Sequence, residues 1–461
     1  MRLSASPPHS CLPMAELADR IHIVGVGGSG MSALAKLLSG LGHRVSGSDI
    51  RPSIALERLS DLGIKTWAGS SPDAMADAGL VVASSAIPDS DPELRAATAA
   101  GIAVWDRPRL LEVLTSRMPA VSATGTHGKT TSSALLVAAA RGAGLEPSFV
   151  VGGELIGLGT NAAVGTDDLF ILEADEAFGT FLSLHLRALM VTNVEADHLD
   201  HYGSTDALED AFVEVVRNVD GPVVICADDP GARRVAQRTD RPTYGLSDDA
   251  RWRIADLGLA SDAVRFSLMH TTVTVPRPGL HIARNAAGVL ALAAELGLDI
   301  EGAAAGMEQF RGVRRRFELR GRVAGVTVID DYAHHPTEIA ATIEAATRGE
   351  WRRVWAVFQP HRYSRTKELH REFGAAFSAA DEVVVTDIYA AGETPVPGVT
   401  GELVADAARA RTSSHVTYVP HRADLGDFLA QNVRPGDLVL TLGAGDITLL
   451  GSELVRLLEE R

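Results

Sequence analysis

The run ATGTHGKT at 123–130 follows the strand-like AVSATG and leads into TTSSALLVAAARGAG, an apolar helix pattern. Glycines in such a run let successive backbone N–H groups turn toward phosphate oxygens, and the following helix adds its positive end. Gly125, Thr126, His127, Gly128, Lys129, Thr130 and Thr131 make up this cradle. Lys129 is placed to reach the β and γ phosphates of ATP, and Thr130 to offer its hydroxyl to Mg²⁺. Ala123 stands where the usual phosphate-loop pattern has its first glycine, but strand, loop and helix keep their order.

A metal needs more than one hydroxyl. Glu173 ends the apolar run LFILE, and His198 comes shortly after ALMVTNV. Oxygens from Thr130 and Glu173 suit Mg²⁺, whereas an imidazole at His198 is tolerated by Mg²⁺ and preferred by Mn²⁺. Asp175, Glu176, Asp197 and Asp200 read equally well as solvated acids, and His201 as a loop residue.

A second glycine turn, VGVGGSG at 24–30, holds Gly25, Gly27, Gly28 and Gly30, and Asp49 ends the next strand-like run. Alone this pattern favours NAD or FAD, although any diphosphate-linked nucleotide presents similar oxygens. A hydride enzyme has no need of a separate phosphate loop. An enzyme that couples ATP chemistry to a nucleotide-linked substrate needs both cradles.

Three later segments are rich in functional side chains. RGVRRRFE crowds four arginines into six positions; DDYAHHPTE carries Asp330, Asp331, Tyr332, His334, His335 and Glu338; FQPHRYSRT carries His361, Arg362, Tyr363 and Arg365. Either Arg362 or Arg365 would bind a carboxylate or phosphate in bidentate fashion. A ligase that phosphorylates a carboxylate and then admits an amine fits this set, with domain closure keeping water from the intermediate.

The elements that must position these residues follow a βαβ rhythm. IHIVGV, HRVSGSD, GIKTWAG, GLVVASSAI and GIAVWDR alternate with helical patterns and predict a mostly parallel first sheet, with a boundary near 112–120. The central unit draws on AVSATG, LFILE, ALMVTNV and VVIC, and residues 241–275 read as an antiparallel flap. A third unit opens near 316, with strands expected in VAGVTVIDD, RRVWAVFQP, EVVVTDI and DLVLTLGAG. Ligands in open α/β sheets gather beyond the carboxyl ends of the strands, where Asp331, Gln359, Asp387 and Gly443 would lie.

Composition sets outer bounds. A chain of 461 residues exceeds one hydrophobic core, and its 46% apolar and 22% charged residues are those of a globular protein. The net charge of -16 argues against an extended surface for nucleic acid or anionic membrane. Cys11 and Cys226 are the only cysteines, too few for a disulfide framework or thiolate cluster. No run approaches the roughly 20 apolar residues of a membrane span, so a cytoplasmic protein is expected.

The ordered set VGVGGSGMS, SSAIP, TGTHGKTT, EADE, TNVEADHLDHYG, RGVRRRFE, DDYAHHPTE, FQPHRYSRT, DIYAAGE and GAGD resembles the Mur ligase family over residues 20–461. The resemblance implies three α/β domains: a Rossmann-like unit for a UDP substrate (1–115), a phosphate-loop ATPase-like unit (116–315) and a Rossmann-like unit for the amino acid and closure (316–461). It implies ATP-dependent ligation of L-alanine to UDP-N-acetylmuramate through an acyl phosphate, or, as the alternative, attachment of a recycled murein tripeptide. It gives the first glycine turn and Asp49 to UDP, and 123–131, His281, Asn285, Arg314 and Asp331 to ATP. Thr130, Glu173 and His198 become metal contacts, and Lys129 steadies the transferring phosphate. Tyr332, His334, His335, Arg362 and Arg365 place the amino acid or the sugar carboxylate. A monomer or homodimer is expected. The chain departs from the family where Ala177 and Phe178 follow EADE, and where Ile282 replaces the first asparagine of the adenine segment.

Overall fold

The computed structural model describes residues 17–75 and 77–460, so Cys11 lies outside the described residues, as do the side chains of Phe178 and Asp200. Three sheets succeed one another along the chain. The first is wholly parallel, in the spatial order Lys65–Ala68, Arg44–Asp49, Arg20–Val24, Leu80–Ala83, Ala103–Asp106. Connections leave the central strand Arg20–Val24 toward opposite sides, so the glycine turn after it opens at the point where the order reverses.

The second sheet has ten strands. Ala120–Thr124 lies between Leu186–Val191 and Phe170–Glu173, parallel to both. Parallel alignment sends the carboxyl ends of all three to one edge. The phosphate loop therefore meets Glu173 on one side and Thr192 and Asn193 on the other. Residues 241–275 differ from the flap expected of them. Thr243–Gly245 is parallel to its neighbours, and Trp252–Leu259, Val264–Leu268 and Thr271–Val275 extend the same sheet as an antiparallel edge. The reason is burial: Trp252, Ile254, Val264, Phe266, Leu268, Val273 and Val275 are all buried within the core that includes the helix Leu280–Glu295. One face of the edge is thus closed.

The third sheet runs Glu318–Val323, Val326–Asp331, Asp437–Leu442, Arg353–Phe358, Glu382–Val385, His415–Tyr418, with only the first pair antiparallel. The stretch expected as one strand, VAGVTVIDD, is broken by Ala324 and Gly325 at φ 50° and 75°. Two left-handed residues make the tight turn of a hairpin. The chain reaches this hairpin along a fixed track. Gly312 O accepts from Ile156 N–H and Arg314 N–H donates to Glu154 O; then Arg315 and Phe317 turn with φ 60° and 50°.

The first two units share one continuous apolar cluster. Across their seam Lys36 donates to Asn161 Oδ1 at 2.9 Å, and Asn161 Nδ2 donates to Ser29 O at 3.1 Å. The third sheet is covered by two separate clusters, one on each face. No helix among the described residues is long and apolar enough to cross a membrane.

Candidate active site between the central and third units

The phosphate loop is shaped by contacts that leave no room for side chains. Gly125 has φ 132°, and a Cβ there would lie 2.1 Å from Thr192 Oγ1 and 2.7 Å from Asn193 O; Gly128, at φ 83°, faces the Asn285 amide. The N–H groups of Thr126 and His127 are taken by Asn193. The helix Lys129–Gly142 has no side-chain cap, so its first-turn N–H groups lack intrahelical partners at the loop. These groups and the adjoining helix end fit a polyphosphate.

Lys129 curls back over the loop. Its ammonium donates to Gly125 O at 2.8 Å and to both oxygens of Glu176, at 2.9 and 2.8 Å, with Asp175 at 3.8 Å. Burial works against the charge, but Glu176 and Asp175 overrule it and hold the ammonium protonated well above its ordinary value. Glu176 is itself buried and comes within 4.0 Å of His198 Nε2. Thr130 donates to Glu173 Oε2 at 3.2 Å, and Gly152 N–H fixes the other oxygen. Burial raises the Glu173 carboxyl, a cost that a cation beside it would remove. The Thr130 and Glu173 oxygens form the hard donor pair Mg²⁺ prefers. His198, at φ 55°, meets Glu176 and Asp197 instead of Glu173.

Beside the loop lies a cavity of roughly 230 Å³, walled by both units. Gly128, Thr131, His281, Ile282 and Asn285 come from the central unit, and Asp331, Thr337 and Glu338 from the third. Burial, then Arg284, lowers His281 to about 4, leaving a neutral ring. Burial raises Asp331 to about 6 although it accepts from Phe317 and Ala333 N–H groups. Ile282 puts hydrocarbon into the wall. Cys226 also lines the cavity, and burial pushes its thiol up to about 11, so it is no nucleophile at neutral pH. Of the arginine run, Arg316 lines the cavity, whereas Arg314 is held by Glu154 at 2.7 Å and Glu318 at 3.1 Å outside that lining.

The units are latched together by side chains. His127 Nδ1 lies 3.2 Å from Glu338 Oε1, and Thr337 donates to Glu195 Oε2 at 2.7 Å. Arg365 approaches Asp197 at 3.5 Å. Burial disfavours the imidazolium of His127, but Glu195 and Glu338 raise it to about 9. Arg315 and Arg316 lie over the Tyr332 ring at 4.7 and 4.9 Å, and His334 packs edge-on against Tyr332. Burial lowers His334 to about 3 and His335 to about 4. Arg362 sits at φ 72° as the residue before the helix Tyr363–Ala376, a strained backbone for a side chain of its size.

In the first unit Gly27 N–H donates to Asp49 Oδ2 at 2.9 Å, so that carboxylate braces the turn. Sequence reasoning passed over Arg107, whose guanidinium carbon is 3.2 Å from where a Gly30 Cβ would stand and whose Nε is buried without a hydrogen-bond partner. Nothing local marks it: it begins a helix far along the chain from the turn it faces. Glu176 and Glu195 were likewise indistinguishable from surface acids.

Family models match three successive segments: "Mur ligase family, catalytic domain" at 20–118, "Mur ligase middle domain" at 123–293, and "Mur ligase, glutamate ligase domain" at 315–445. A UDP-N-acetylmuramate–L-alanine ligase of Myxococcus xanthus is 42% identical over 450 residues, covering 96% of this chain and 95% of its own. One from Cutibacterium acnes is 44% identical over 453 residues, covering 95% and 96%. Among solved structures, the UDP-N-acetylmuramate-alanine ligase of Thermotoga maritima superposes with a TM-score of 0.82 at 28% identity, covering 95% of this chain and 98% of its own. A murein peptide ligase from Psychrobacter arcticus shares the fold, with a TM-score of 0.70 at 23% identity over 96% and 99%.

Proposed function

The chain belongs to the Mur ligase family, and from that premise we propose that it joins L-alanine to the carboxylate of UDP-N-acetylmuramate, converting ATP to ADP and phosphate. The observation that carries this reading is the full-length match to ligases of that name, 42% identical over 96% of the chain. The reaction belongs to peptidoglycan synthesis, and we propose that it takes place in the cytoplasm.

In this reading the sugar carboxylate attacks the γ-phosphorus and ADP leaves. The amine of alanine then attacks the acyl carbon, the nitrogen loses a proton, and inorganic phosphate departs. Lys129 exchanges Glu176 for phosphate oxygens and offsets the charge that develops there. Thr130 and Glu173 would hold Mg²⁺, which when bound would neutralise phosphate charge; Mn²⁺ would suit the same oxygens. His281 and Asn285 flank the nucleotide beside Asp331 and Arg316. The first glycine turn and Asp49 hold the UDP end. His335, Arg362 and Arg365 come from the third unit to position the amino acid or the sugar carboxylate, and the contacts of His127 and Thr337 exclude water when that unit is closed.

Phosphate release by the purified chain with ATP and Mg²⁺ tests this, with UDP-N-acetylmuramate and L-alanine added separately and together. The expected result is release only with both, accompanied by an amide-linked product. Equal ATP consumption without the muramic acid substrate overturns the reading. A requirement for the intact tripeptide in place of alanine would overturn the choice of amine.

A further inference from the structure

Three donors outside the Thr130 and Glu173 pair converge on the seam between units. His127 comes from the phosphate loop, Glu195 follows the strand Leu186–Val191, and His335 precedes the helix Pro336–Ala346 of the third unit. One ligand atom from each lies within 4.8 Å of the other two. The rings of His127 and His335 are 4.6 Å apart, and His127 Nε2 is 3.4 Å from Glu195 Oε2.

Their hydrogen bonding is incomplete in a telling way. His335 is 7% exposed, and its ring nitrogens make no full hydrogen bond beyond the capping-box approach of the Glu338 N–H; His127 Nε2 is also buried, with only the 3.4 Å approach of Glu195. Buried polar atoms are nearly always satisfied, so the poorly matched nitrogens of His335, converging with the His127–Glu195 pair at one point, call for a ligand. The far side of His127 is anchored, its Nδ1 lying 3.2 Å from Glu338 Oε1. A carboxylate behind an imidazole is the arrangement that orients metal-binding histidines.

We propose that His127, Glu195 and His335 form a binding site for a divalent transition ion such as Zn²⁺, separate from the Mg²⁺ donors, that staples the third unit to the central one. Two imidazoles and one carboxylate with a fourth position open make up a zinc-type donor set, and nitrogen donors select against Mg²⁺. Bonds of about 2.0–2.2 Å bring ligand atoms to roughly 3.4 Å of one another, so the side chains must draw in by an ångström or so. The cation takes the place of the proton that His127 otherwise shares with Glu195. Held this way, the units cannot part, and turnover that requires opening stops. The metal site rests on geometry alone; the inhibition rests on the ligase reading.

Titrating the full-length chain with Zn²⁺ by calorimetry, and with Co²⁺ by visible absorption, without nucleotide or substrate, tests the site. One equivalent is expected to bind, with d–d bands for Co²⁺ that reveal nitrogen ligation. His335→Asn and Glu195→Gln, each checked for folding by circular dichroism, should weaken binding at least tenfold, whereas Thr130→Val should leave it unchanged. Absence of binding, or binding undiminished in folded His335→Asn, overturns the proposal. Zinc bound with this residue dependence supports the site even in a preparation that releases no phosphate, a result that counts against the ligase reading alone. In an active preparation, Zn²⁺ should inhibit in the presence of excess Mg²⁺; full activity with the site loaded overturns the stapling role.

Discussion

The ammonium of Lys129 lies 2.8 Å from Glu176 Oε2, and Glu176 is 2% exposed. Removing one member of such a pair strands the other charge, at a cost of about 3–5 kcal/mol. Lys129→Met should therefore lower the urea midpoint of the protein as well as abolish phosphate release. The double variant Lys129→Met with Glu176→Leu should regain the midpoint and remain inactive. Recovery of activity in the double variant would show that the lysine serves only to neutralise its partner.

Gly125 offers a structural test of the phosphate loop. Alanine there combines φ 132° with a Cβ 2.1 Å from Thr192 Oγ1 and should destabilise by roughly 3 kcal/mol or more. Gly144, at φ 83° with nothing within 4 Å, should cost only about 1–2 kcal/mol on the same change. Equal losses in chemical denaturation would mean that backbone strain, not the crowding at Thr192, sets the first value.

Arg107 faces the first glycine turn with an unmatched Nε. Arg107→Ala should raise KM for the UDP-linked substrate by about 10- to 100-fold, as loss of a charge-assisted contact does, with kcat nearly unchanged. Steady-state kinetics with ATP saturating distinguishes this from a fall in kcat alone, which would remove Arg107 from substrate binding.

His127 supplies a pH dependence. Its imidazolium is raised from 6.5 to about 9 because Glu195 and Glu338 outweigh burial. Protonation is thus favoured in the folded, closed state. The stabilisation is fully present below about pH 6.5, diminishes above it, and is gone once the pH has passed through about 9; it amounts to at most about 3 kcal/mol. The thermal midpoint should fall across that window, and Glu338→Gln should flatten the fall. A midpoint rising from pH 6.5 to 9 would contradict the ion pairs.

What could be read along the chain was what local geometry dictates. The glycines at 25–30 and 125–128 and the β-rich runs that precede them fixed two cradles at strand ends, and the family resemblance ordered them into three units. What could not be read depends on segments distant in sequence. Glu338 reaches His127 across 211 residues, and Glu176 reaches Lys129 across 47. Within RGVRRRFE, spacing alone could not say that Arg316 would line the cavity while Arg314 turned to Glu154. The strands at 252–275 are antiparallel, as their alternation suggests, but alternation reveals one buried face and not what covers it, so their place at the edge of the central sheet was not legible.

The track over which the chain enters the third unit has a mechanical consequence. Residues 312–314 are pinned to the central unit by Ile156 and Glu154, and the backbone turns immediately beyond them, at Arg315 and Phe317. Any parting of the third unit from the central one would pivot just beyond these pinned residues and would carry Asp331, Thr337 and Glu338 away from the cavity wall they share with the central unit.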